Sequence, residues 1–187
     1  MPKIALSLLC VFAALSLRAE EPLNPEQTAS AYFDAFRAKD AAKMAEMMNP
    51  KDLEHFKTGI IDLAPDYKRA GLQMEKAFFG QFEGIESIDG LKSLDPKALY
   101  QLFLQTTIKQ APGSFEIKAK LQFLGHVKEL DTLAHVVIRY NFQSDKGDTS
   151  QIKVITLIRD SEKRWRVSLA EDLETIIATY RKSVRPE

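Results

Sequence analysis

The chain has 187 residues and balances 26 lysines and arginines against 26 aspartates and glutamates. Without a basic excess it lacks the electrostatic footprint of a nucleic-acid-binding protein. The length fits one domain with a substantial core, and no internal repeat, low-complexity tract or Pro/Gly/Ser linker divides it.

The N-terminus reads MPKIALSLLCVFAALSLRAEEP. Lys3 precedes an apolar run from Ile4 to Leu17 broken only by Ser7, Cys10 and Ser16, the pattern of a secretory signal peptide. The run is short for a bilayer span, so the reading is an exported protein, periplasmic or secreted, with no integral membrane segment in the mature chain. Cleavage is expected after Ala19, with Leu17 and Ala19 as the recognised pair; cleavage after Ser16, with Ala14 behind it, is the alternative. Cys10, the only cysteine, is not placed for lipid attachment, because Leu9 precedes it and the apolar core continues through Leu15. Residues 20–187 then form a single domain of about 168 residues with 24 basic and 26 acidic side chains, a net charge of −2. Disulfides, thiolate metal sites and a cysteine nucleophile are excluded from it.

Helix-start signals dominate the first half. NPEQ places Asn24 at an N-cap, Pro25 at the first helical position and Gln27 where a capping box needs it. NPKD at Asn49-Pro50 and DPKA at Asp95-Pro96 repeat the device. These signals predict helices over 25–38, 50–62 and 96–109, with shorter ones over 40–48 and, after Pro65, over 66–79. Met44, Met47 and Met48 follow helical spacing and read as core filler rather than as an adaptable binding stripe. FFGQFEGIESIDG reads as a loop packed near the sheet by its aromatic residues, with a pocket lid as the alternative.

The period then changes from helical to alternating. SFEIKAKLQFLG alternates Phe115, Ile117, Ala119, Leu121 and Phe123 with charged or polar residues, as a half-buried strand does. LAHVVIRYNF and QIKVITLIRD are apolar on both faces, as central strands are, and SDKGD forms a hairpin turn between them. DSEK makes a second turn into RWRVSLA, giving an antiparallel meander with the first strand beside it. EDLETIIATYRK spaces Leu173, Ile176, Ile177 and Tyr180 as one helix face, with acids at its start and Arg181-Lys182 at its end. This terminal helix is expected to cover the second apolar face of the sheet, at Val137, Ile155 and Leu157; left uncovered, that face would be a dimer interface.

The fold class is therefore α+β: N-terminal helices on a curved antiparallel four-stranded sheet, with an additional C-terminal helix. This order, with the opening EQTASAYFDAFRAKDAAKMAEMMNP, resembles the nuclear transport factor 2-like superfamily over roughly residues 25–170. The stretch between residues 50 and 110 is longer and more helical than in a minimal member, and the terminal helix is additional. The resemblance implies a cone with an apolar pocket between the helices and the concave sheet face. Some members are enzymes, among them ketosteroid isomerase, scytalone dehydratase and limonene epoxide hydrolase; others are binding, accessory or dimerisation modules. Fold alone does not choose between these functions.

Placing Trp165, Val167 and Leu169 inward assigns Val136, Ile138, Tyr140 and Phe142 to the inner face, with Ile152, Val154, Thr156 and Ile158. Tyr32, Tyr140, Thr156 and Trp165 are then the expected lining of a pocket for a small apolar ligand. No strand carboxylate joins Tyr140, so an isomerase-type site would need Asp34 from the first helix. Arg139 falls on the opposite face with His135 and Asn141, and is expected to pair with Glu171 or Glu174. His55, His126 and His135 are scattered and form no H-E-x-x-H, so no metal or other cofactor is expected. G-x-S-x-G and phosphate-cradling loops are missing as well. Lys118, Lys120, Arg164 and Arg166 form a basic band on exposed strand faces, read as a solvated face that discourages edge pairing. The functional expectation is an exported, non-enzymatic binding or accessory module. The alternatives are a small pocket enzyme of the isomerase, dehydratase or hydrolase type, or a dimerising interaction scaffold.

Overall fold

In the structure, a computed structural model that describes residues 22–110, 120–144 and 147–184, the helix-start signals act as their chemistry requires. Asn24 Oδ1 accepts from Gln27 N at 2.9 Å while Gln27 Oε1 accepts from Asn24 N at 3.0 Å, closing a capping box on α1 (Pro25–Arg37). Lys39, at φ 57°, reverses the chain, and Asp40 caps α2 (Ala41–Met47) by accepting from Lys43 N at 2.9 Å. Asn49 opens α3 (Pro50–Arg69), which runs straight through Pro65. The expected break at that proline is overturned. Proline inside a helix costs roughly 3 kcal/mol. Pro65 lies on the solvent side, however, while Leu63, Ala64 and Tyr67 around it are buried. Burial of side chains of that size, at about 1.5–3 kcal/mol each, offsets the lost bond.

Two short helices, α4 (Leu72–Phe79) and α5 (Ile88–Ser93), flank a turn whose Phe82 is 1% exposed. The glycine-rich segment is thus anchored by aromatic residues, as its composition implies, but is partly helical. In front of α6 (Pro96–Gln110), Asp95 Oδ1 accepts from Ala98 N at 3.0 Å.

The described strands form one antiparallel sheet in the order β1 (Lys120–Leu130), β2 (Leu133–Ser144), β3 (Gly147–Arg159), β4 (Trp165–Ser168). β1 continues past Gly125, where the sequence alternation ends, by way of a bulge: Phe123 faces Ile138 and Gly125 faces Val137, with Leu124 between them. The signal segment with Cys10, the strand residues 115–119 with Lys118, and Asp145 and Lys146 of the first turn lie outside the described residues, as do the side chains of Lys120 and Phe142.

The register of β3 corrects the assigned faces. Val167 pairs with Leu157 and Trp165 with Arg159, so the inner residues of β3 are Lys153, Ile155, Leu157 and Arg159. Ile155 and Leu157 are buried against the helices; Ile152, Val154, Thr156 and Ile158 face the other way. The cause is the β3–β4 turn. Asp160 accepts from Glu162 N and Arg164 N, Lys163 takes a φ of 61°, and this turn sets Arg159 opposite Trp165. A slip of one residue exchanges the two faces of a strand.

The helix α7 (Ala170–Val184) corrects a second expectation: it packs along α3 rather than over the outer sheet face. Leu173 and Ile177 are buried there, and Tyr67 Oη donates to the Tyr180 carbonyl at 2.9 Å. Gly59 makes the approach close, because a Cβ at that position would overlap the Ile177 side chain. The core fills the space between the helices and the inner sheet face, with Phe56, Phe78, Leu99, Ile138 and Leu157 among its fully buried side chains.

Candidate functional site: the outer face of the sheet

With α7 packed on α3, the outer face of the sheet keeps an apolar surface. Its central cross-strand row is Gly125, Val137 and Val154. On either side lie the rows Val127–His135–Thr156 and Gln122–Arg139–Ile152, with Leu130, Leu133 and Ile158 at one end. Val127 is 61% exposed, Ile152 60% and Val154 53%. Alternating strands normally put polar side chains on a solvated face; here β-branched apolar residues occupy those positions on β1, β2 and β3.

The polar groups on this face are tied to each other. His135 Nδ1 lies 3.2 Å from Thr156 Oγ1 and its Nε2 lies 3.1 Å from Glu129, while an Arg139 Nη donates to Gln122 Oε1 at 3.5 Å. Arg139 thus keeps the face assigned to it but not the partner: Glu174 pairs instead with His55. The other histidine, His126, meets Glu26 of α1. Among the described residues no cluster of three or more His, Cys, Asp or Glu side chains could hold a metal ion.

The four residues expected to line one pocket do not converge. Thr156 is on the outer face, bonded to His135. Trp165 is buried at the far end of β4, with the Arg159 guanidinium 5.7 Å from its ring centroid. Tyr140 pairs with Gln151, eight residues along β3 from Arg159; at about 3.3 Å per residue the two rows are roughly 26 Å apart. Tyr32 and Tyr140 are bridged by Phe33, whose ring centroid is 6.4 Å from each. Tyr140 donates to Gln151 Oε1 at 2.9 Å.

Other polar groups acquire partners that strand parity does not show. The Tyr32 and Tyr100 phenols interact in the core near Asp172, which pairs with Lys153 at 3.0 Å. Burial pushes the Tyr32 phenol up to about 12 and holds the Tyr100 phenol well above its ordinary range. Asp52 is buried at the junction of α3 and β4. Its Oδ2 accepts from Ser168 Oγ at 2.8 Å and Leu169 N at 3.1 Å, and its Oδ1 from Asn49 Nδ2 at 3.1 Å. The one sequence signal for it is its place as the acid of NPKD. Asp34 points to solvent, with a side chain 58% exposed and paired to Arg37, so it cannot serve an isomerase-type site with Tyr140. Arg164 and Arg166 do not form an open basic band either. Both donate to Asp160 Oδ2, at 3.2 and 2.8 Å, and Arg166 also donates to the Glu46 carbonyl at 2.7 Å.

No protein family, curated protein or solved structure matches the chain.

Proposed function

We propose that this chain is an exported, non-enzymatic interaction module that pairs with a second copy of itself through the outer face of its sheet. The observation that carries this reading is the run of Val127, Val154 and Ile152, each more than half exposed on one face. Contiguous exposed apolar surface of this kind marks association sites. A two-fold interface places the same patch on both copies, so the exposed strand residues of one would meet those of the other. The N-terminal apolar segment supports export, and the order of helices and antiparallel strands supports placement near the nuclear transport factor 2-like superfamily.

Light scattering and sedimentation velocity on residues 20–187 test the reading. A dimer is expected, with Val154→Glu shifting the chain to monomer while leaving its circular dichroism unchanged. A monomer persisting at high concentration overturns it, as does a dimer that Val154→Glu and Val127→Glu both leave intact.

A further inference from the structure

A groove of about 510 Å³ opens between α4 and the turn that follows it, away from the sheet. Small-molecule sites typically span roughly 300–1,000 Å³. The floor is apolar and comes from the aromatic segment: Phe79 and Phe82, both buried, with Ile85 half-buried beside them. Leu72, Gly80 and Gly84 also line it, and its charged residues are Glu75, Glu83 and Glu86 against a single lysine, Lys76. Glu83 is bound by Lys109 of α6. The side-chain carboxylates of Glu75 and Glu86 have no hydrogen-bond or ion-pair partner among the described residues. A site with an apolar floor and two carboxylates free to accept selects by sign: an anion meets repulsion there, and a cation with an apolar body meets both features.

We infer that this groove binds a small organic cation, an ammonium group carried on a short apolar chain. The chain would lie on Phe79, Phe82 and Ile85, and the ammonium would take the carboxylates of Glu75 and Glu86. This inference is independent of pairing through the sheet.

Titration of the isotope-labelled protein with hexylammonium, followed by amide chemical shifts, tests it. Saturable shifts are expected at Gly80, Gly84 and Ile85, with hexanol and hexanoate binding at least about ten-fold more weakly, a difference of about 1.4 kcal/mol. The double variant Glu75→Gln/Glu86→Gln should lose a similar factor, and added salt should weaken hexylammonium but not hexanol. Shifts that do not saturate, equal binding of hexanol or hexanoate, or undiminished affinity in a folded double variant overturns the assignment. The hexanol comparison and the salt series use the unaltered chain, so they decide even if the double variant misfolds. Val154→Glu should titrate like the parent, which separates this result from the outcome of the pairing experiment.

Discussion

Asp52 shows how one buried polar side chain holds distant elements together. It accepts from Asn49, Ser168 and the Leu169 backbone, joining the start of α3 to the passage from β4 into α7. Removing a buried acceptor leaves its donors without partners, at about 1–3 kcal/mol. Asp52→Ala is therefore expected to lower the unfolding free energy measured by urea denaturation by that much, with Asp52→Asn recovering part of it; a loss of only a few tenths of a kcal/mol would refute the clamp. The phenols give a second prediction at this scale. Burial raises Tyr32 and Tyr180 to about 12 and moves Tyr67 and Tyr100 upward as well. Unfolded tyrosine ionises near 10, so between about 10 and 12 the unfolded chain loses protons that the folded one keeps. Stability is then full below pH 10 and falls as pH rises through that window. Absorbance at 295 nm should show most tyrosinate appearing together with unfolding; smooth ionisation of a chain still folded at pH 11 would contradict it.

At the scale of elements, the caps and the inward face of β2 were legible, and the inward face of β3 was not. Asn24, Asp40, Asn49 and Asp95 act through residues two or three positions away, so the chemistry that starts each helix is printed locally. Which face of β3 turns inward depends on the turn after it, and Asp160 holds that turn through contacts with Arg164 and Arg166. Burial works against the Asp160 carboxylate, but those donors outweigh it and hold the group below its usual range. Pro65 makes a related point, since a local breaker is overridden by the buried residues on either side of it. The docking of α7 on α3 yields a prediction of its own. Gly59→Ala gains helix propensity but drives its Cβ into the side chain of Ile177, which is buried and must repack. A net loss of about 1–3 kcal/mol is expected, and Ile177→Ala in the same chain should recover part of it. A stabilised Gly59→Ala would show that α7 yields at this contact.

For the whole molecule, the placement of α7 decides which surface is left for partners. A terminal helix over the sheet would have hidden Val137 and Val154; packed on α3, it leaves them outside the core. If two copies pair there, the melting temperature should rise with protein concentration, because association stabilises only the folded chain. Differential scanning calorimetry over a hundred-fold concentration range would show the rise, and Val154→Glu should abolish it. A melting temperature independent of concentration in the parent chain would count against pairing. The sequence by itself determined the α+β order, the helix starts, the meander and the inward face of β2, because each rests on patterns within a few residues. It also marked Tyr32 and Tyr140 as polar groups in apolar settings. Only the tertiary structure decided the inward face of β3, the solvent position of Asp34, the separation of Trp165 from Tyr140 and the partner of α7. Those depend on register and docking, where one residue of slip or one helix placed elsewhere exchanges core for surface.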